Sequence, residues 1–212
     1  MQKKAFIDFL IAQSVLKFGE FTLNSGRVSP YFFNLGAVSD GVGFAALGQA
    51  YAQTIIDAGL EFDVLFGPAY KGIPIAVATA TALAAHGVHV SVAYNRKEAK
   101  DHGEGGQLVG AEVNGRVLLV DDVLTSGKAI RQSVELIART NAEIVGAVIA
   151  LDRAELFDGN VTAVEALAKD LRAPIVSIAS VADIIAGLTD ATDPNLRQRM
   201  LEYQQQYCRI NR

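Results

Sequence analysis

The sequence predicts an α/β fold, a central parallel sheet flanked by helices, and three observations predict it. Apolar strand-like runs alternate with helical segments from residue 63 to residue 179, the pattern of a parallel sheet with crossover helices covering both faces. Two of those strands end in turns that open a helix, at Gly67 and at Asp122. With 212 residues, 50% hydrophobic and 20% charged, the chain has enough apolar material for one well-buried globular domain spanning 1–212.

In order, residues 5–18 set Phe6, Phe9, Leu10, Val15 and Leu16 at helical spacing, giving a helix with one apolar face. Residues 21–34 combine β-prone residues with the turn signal Asn24-Ser25-Gly26 and read as two short strands in a hairpin. Helical periodicity returns at 42–58. Then come strand 63–67, helix 72–86, strands 88–94 and 116–122, helix 127–140, strand 143–152, helix 161–171 and strand 175–179. A polar helix over 193–207 closes the chain.

Charge and composition exclude several classes. At net charge −4 nothing in the bulk draws the chain to nucleic acid or an anionic membrane surface. The longest apolar runs fall well short of the ~20 residues of a membrane span. Asp8 interrupts the apolar stretch behind Lys3 and Lys4, so a secretory leader is not expected. The single Cys208 offers no internal disulfide, and no CxxC or paired-histidine spacing suggests zinc. A cytoplasmic location fits.

Residues 118–129, LLVDDVLTSGKA, carry the clearest chemistry. An apolar strand delivers Asp121 and Asp122 to its mouth, and a small-residue turn then opens a helix. Backbone N–H groups and a helix N-terminus suit a phosphate, while carboxylates accept hydrogen bonds from vicinal hydroxyls. A ribose 5-phosphate presents both groups. A second site lies at FGPAYKGIPIA, 66–76, where Tyr70 and Lys71 fall at the carboxyl end of a strand, the edge on which open α/β sheets bind ligands. Taken alone, Lys71 also reads as an exposed loop lysine and Tyr70 as a packing residue. A third is NRKEAKDHGEGGQLVGAE, 95–112, with no apolar period. It reads either as a solvated tip or as a lid whose Arg96, Lys97, Lys100 and His102 fold over a diphosphate.

Other patterns fail on context. GVGFAA at 41–46 follows AVSD rather than a buried strand, so the dinucleotide fingerprint lacks its setting. Gly127-Lys128 lacks the rest of a P-loop, and Ser126 lacks the glycine a nucleophile elbow requires.

Together these motifs resemble the type I phosphoribosyltransferases over nearly the whole chain, from KFGEFTL at 17–23 to LDR at 151–153. SPYFFN, GPAYKGIP and RKEAKDHGEGG are similar to the branch that uses orotate. The resemblance implies that family's fold, with a small hood from about residues 1–36 and a flexible catalytic loop at about 95–112. It implies transfer of the phosphoribosyl group of 5-phosphoribosyl-1-diphosphate to orotate, with Mg²⁺ held mainly through the donor, in a homodimer whose lid loops are shared between subunits. Nucleic acid and membrane are not among its implied partners.

Carried over by that resemblance, Asp121 and Asp122 hold the ribose hydroxyls, and the turn Val123, Leu124, Thr125, Ser126, Gly127, Lys128 and Ala129 wraps the 5-phosphate. Tyr70 and Lys71 contact the diphosphate side, joined by Arg96, Lys97, Lys100 and His102 from the lid. Apart from the resemblance, their place in the lid suggests the hypothesis that Lys100 and His102 deliver a proton to the leaving oxygens. Phe32, Phe33, Thr125 and Arg153 receive orotate. Two departures stand out: Asn24 and Val28 occupy hairpin positions that are usually basic, and Lys128 stands where the phosphate turn usually carries a small hydroxyl. A phosphoribosyltransferase for another base, or a non-catalytic sensor of the donor, are the competing readings.

Overall fold

The computed structural model describes residues 2–23, 26–100, 106–124, 128–157, 160–188 and 194–209. Helix α1, Lys3–Ala12, buries Phe6, Ile7 and Leu10 on one stripe. It stops well before the predicted residue 18 because Ser14 turns left-handed at φ 55°, and the Val15 N–H then donates back to the Leu10 carbonyl at 2.9 Å. That reversal frees Val15 and Leu16 to start a hairpin rather than another helical turn.

Strands β1, Leu16–Thr22, and β2, Val28–Phe33, pair antiparallel in a two-stranded sheet of their own. A short 3₁₀ turn at Leu35–Ala37 leads into α2, Gly41–Asp57, where Asp40 Oδ1 accepts the Gly43 N–H at 2.7 Å. The glycine-rich GVGFAA is thus a capped helix start behind a turn, not behind a strand.

The alternation follows: β3 Val64–Gly67, α3 Gly72–Ala85, β4 Ser91–Lys100, β5 Gly106–Gly110, β6 Gly115–Val123, α4 Lys128–Ile137 and β7 Ala142–Asp152. Beyond it lie β8 Leu156–Phe157, β9 Val161–Thr162, α5 Ala163–Leu171, β10 Ile175–Ser180, α6 Val181–Gly187 and α7 Pro194–Tyr207. Three differences from the sequence expectation have local causes. Val161–Thr162 pair with β8, and Thr162 with Glu165 forms a capping box, so α5 begins at 163. A second box, Ser180 with Asp183, starts the short α6 directly behind β10. The stretch read as an irregular lid is partly strand: β4 runs on to Lys100 and β5 returns antiparallel along it.

The six-stranded sheet has the order β10-β7-β6-β3-β4-β5, parallel except for β5. Strand period sorts its side chains between two cores. Leu65, Leu118, Val120, Val148 and Ala150 join residues of α1, α2, α3, α6 and α7 on one face. Val64, Phe66, Val117, Leu119, Ala147 and Ile149 join α4 and α5 on the other. From β3 the chain steps outward to β4 and β5, then crosses back to lay β6 on β3's other flank. The carboxyl ends of β3 and β6 therefore border a crevice where strand order reverses.

Candidate functional site

At that crevice the β3 strand ends in a turn that only small residues permit. A Cβ on Gly67 would lie 2.2 Å from the Gly72 carbonyl oxygen, and one on Gly72 would lie 2.9 Å from the Val120 carbonyl oxygen. The turn is thereby drawn close against α3 and the end of β6. Its Ala69–Tyr70 peptide is cis. Lys71, the last residue before α3, reaches across to Asp122 with Nζ 2.6 Å from Oδ2.

Asp121 follows Leu119 in strand parity and Asp122 follows Val120, so the adjacent carboxylates leave the strand toward different faces. Both are buried, and each anchors the backbone: Asp121 Oδ1 accepts the Asp122 N–H at 2.9 Å and Asp122 Oδ1 accepts the Val123 N–H at 2.7 Å. Below them, Tyr51 of α2 donates its hydroxyl to the Asp121 carbonyl at 2.7 Å. Burial, then repulsion from Asp122, push the Asp121 carboxyl up to about 7, against the pull of the Asp122 N–H and of Lys71.

From β4, Asn95 links three elements. Its Oδ1 accepts the Ala69 N–H at 3.1 Å and the Ser133 hydroxyl of α4 at 3.2 Å, and its Nδ2 donates to the Arg96 carbonyl at 3.2 Å. Next to it, Arg96 keeps Nη1 buried with no hydrogen-bond partner among the described residues. Lys97 Nζ sits 4.5 Å from the centre of the Tyr70 ring, and Tyr70 is 64% exposed. Tyr70, Lys71, Arg96, Lys97, Asp121 and Asp122 thus share one edge of the sheet.

Other expected residues sit differently. Leu124 is 7% exposed in the α4-side core, so its contribution to a phosphate turn is limited to backbone. Phe33 pairs with Leu16 and its side chain is buried in the opposite core, which leaves its backbone for the expected ligand contact. Phe32 is the open one, 39% exposed and tilted against Phe21 at 5.5 Å. Arg153, expected to meet an anionic ligand edge, is buried beyond β7 and already bonded to Glu155: Nε and Nη2 lie 2.8 and 2.5 Å from Oε1. Its guanidinium also lies 4.7 Å from the Tyr31 ring centre. All of His102, Thr125, Ser126, Gly127 and Asn24, and the side chains of Lys100, Lys128 and Ala129, lie outside the described residues. Val28 is half exposed on β2.

Sequence reasoning missed Asn95, Tyr31, Glu155 and Tyr203. Asn95 had a usable signal, a polar residue at the carboxyl end of a predicted strand, and Glu155 lies two residues from the expected Arg153. Tyr203 had none, since only folding brings α7 to that place.

Among the described residues no three His, Cys, Asp or Glu side chains form a metal-holding group. A Mg²⁺ held mainly through substrate phosphates would need only one or two carboxylates from the chain, since it commonly keeps several waters.

Residues 35–174 match the family profile described as phosphoribosyl transferase domain. An orotate phosphoribosyltransferase of Vibrio atlanticus is 50% identical over 207 residues, 97% of each chain. The Escherichia coli K12 protein of the same name is 52% identical over 189 residues, 89% of each. The crystal structure of orotate phosphoribosyltransferase from Francisella tularensis superposes with a TM-score of 0.87 at 38% identity, covering 97% of this chain and 100% of that one.

Proposed function

Because the chain belongs to the phosphoribosyltransferase family, in its orotate phosphoribosyltransferase branch, we infer from the crevice how its residues divide the work of that reaction. The enzyme transfers the 5-phosphoribosyl group of 5-phosphoribosyl-1-diphosphate to orotate, giving orotidine 5′-monophosphate and diphosphate in pyrimidine synthesis. The residue roles below are our reading of it.

The observation that carries the reading is the Lys71–Asp122 contact, 2.6 Å, which ties the ends of β3 and β6 across the switch-point crevice. A sugar with phosphoryl groups at both ends fits such an edge: Asp121 and Asp122 accept its hydroxyls, the turn 123–129 and the start of α4 receive the 5-phosphate, and the 68–71 turn receives the diphosphate. As the bond to diphosphate breaks, the anomeric carbon gains positive charge and the leaving oxygens gain negative charge. Lys71, Arg96 and Lys97 are positioned to stabilise the latter, an interaction stronger in the transition state than in the ground state. Nη1 of Arg96, buried with no hydrogen-bond partner among the described residues, supports this role. Lys100 and His102 join from the lid by family likeness.

Orotate's ring nitrogen attacks the anomeric carbon from the face opposite the leaving group, and no covalent enzyme intermediate is required. Mg²⁺, held mainly through the donor and with Asp121 and Asp122 as the chain's candidate carboxylates, would supply Lewis-acid charge at the phosphoryl oxygens. On the acceptor side, the exposed ring of Phe32 and the backbone of Phe33 face the pyrimidine, with Thr125, and Arg153 pairs with its anionic edge. We further propose a homodimer sharing its lid loops, and a cytoplasmic location. No helix among the described residues is long and apolar enough to cross a membrane.

Loss of orotate absorbance in the presence of donor and Mg²⁺ tests the division of labour. Lys71→Ala should raise the donor KM and lower turnover on the order of 10²-fold while the orotate KM changes little. Equal effects on both substrates would count against assigning Lys71 to the diphosphate side. Sedimentation of the purified enzyme, with complementation between a lid variant and an Asp122 variant, tests the shared dimer.

A further inference from the structure

Arg153 is held in place from a part of the chain far from its own strand. Glu155 Oε1 takes two of its five N–H donors, and the same oxygen accepts the Tyr203 hydroxyl at 2.7 Å. Glu155 is the carboxylate paired with this guanidinium, and the Tyr203 hydroxyl lies within hydrogen-bonding reach of it as well. The Tyr203 ring also meets Tyr31 edge-on, centroids 6.1 Å apart, and Tyr31 is the ring beneath the guanidinium. One residue of α7 therefore touches both groups that fix Arg153.

The backbone adds a second tie. Cys208, just past α7, bridges to Glu155, and the Arg209 N–H donates to the Ala154 carbonyl at 2.8 Å. Ala154 itself is left-handed, φ 52°, so the segment carrying Arg153 and Glu155 is a tight reversal whose shape the end of the chain clamps.

We propose that Tyr203 is a positioning residue for the acceptor half of the site: its hydroxyl fixes Glu155, and Glu155 fixes the direction in which Arg153 presents its remaining N–H groups to an acidic pyrimidine. This rests on the reading of Arg153 as the group that meets orotate. The physical requirement is orientational. A lone carboxylate two residues from an arginine can swing with it, whereas one whose oxygen is also pinned by a buried hydroxyl cannot. Sharing Oε1 among three donors also divides its attraction, so the arginine is oriented without being fully neutralised.

Steady-state kinetics on four enzymes, wild type, Tyr203→Phe, Arg153→Ala and the double variant, tests the proposal, with thermal melts in parallel. Phenylalanine keeps the ring contacts with Tyr31 and removes only the hydroxyl. The orotate KM should rise on the order of tenfold in Tyr203→Phe, with donor KM and kcat within about twofold. It should rise further in Arg153→Ala, and the double variant should match Arg153→Ala alone. If Arg153→Ala raises the orotate KM but Tyr203→Phe behaves as wild type, the positioning role is overturned and the Arg153 reading survives. An unchanged orotate KM in Arg153→Ala overturns that reading and the proposal with it. Equal losses toward both substrates in Tyr203→Phe, or losses that simply add in the double variant, would make Tyr203 a general structural support and also overturn it.

Discussion

Where β3 and β6 end, the crevice is assembled from short contiguous segments: a turn of 67–72 held by close backbone approach, and adjacent aspartates whose oxygens bond their own next N–H groups. The wall around Arg153 is assembled from pieces far apart in the chain, with Tyr31 from the hairpin, Glu155 beyond β7 and Tyr203 from α7. Even the hairpin is caught there, since Arg27 donates to the Leu156 carbonyl at 3.2 Å and stacks 5.1 Å from the Tyr207 ring centre. The crevice thus rests first on local backbone geometry, with the Lys71–Asp122 and Asn95 contacts tying its segments together, whereas the Arg153 wall rests on side chains brought from distant parts of the chain. Substitutions should separate them.

The largest separation is expected between two neighbouring phenylalanines. Phe33→Ala removes a ring from the core and should cost about 3–5 kcal/mol of stability, whereas Phe32→Ala should melt near the wild-type temperature and raise the orotate KM; chemical denaturation with kinetics reads both. Next comes Asp122→Asn. It strips the charge facing Lys71 at a site that is only half buried on the lysine side, so stability should barely change while kcat/KM for the donor falls about 10²- to 10³-fold. Similar losses in melting and activity would mean that the pair is mainly structural.

Asp121 gives a smaller, pH-dependent effect. Its carboxyl titrates near 7 in the fold, above the unfolded value of about 3.9, so the folded protein retains a proton that the unfolded chain releases in between. The stability this contributes is full below pH about 4 and is lost as pH rises through about 7. Asp121→Asn should flatten that decline, gaining on the order of 4 kcal/mol at pH 8 relative to wild type and little at pH 4; a parallel pH–stability curve for the two proteins would refute the shifted carboxyl. The smallest effect is expected for Tyr70→Leu, which removes a cation–π contact with Lys97 worth about 0.5–1 kcal/mol and should raise the donor KM only a few-fold.

The same contrast explains what was legible beforehand. Asp121, Asp122, Tyr70 and Lys71 announce themselves because strand, turn and helix start are consecutive in sequence, and the sheet alternation from 63 to 179 is a matter of period and punctuation. The carboxyl-edge position of the turn followed from the same pattern. By contrast, the early end of α1 depends on a single left-handed Ser14, a conformation that serine does not advertise. Residues 106–110 lack any apolar period, yet they become β5 because β4 offers them a free edge. Phe32 and Phe33 are indistinguishable as letters; only register against β1 decides which one is buried. No local pattern can place Tyr203 beside Glu155.

Cys208 lies 5% exposed against that same junction, and burial, followed by the charge of Glu155, pushes its thiol up to about 12. In the folded enzyme it is therefore almost wholly unionised and shielded from alkylating reagents. Labelling must wait until the segment after α7 leaves Glu155, so the rate of thiol modification becomes a built-in clock for the opening of the wall around Arg153, readable by mass spectrometry without adding a probe.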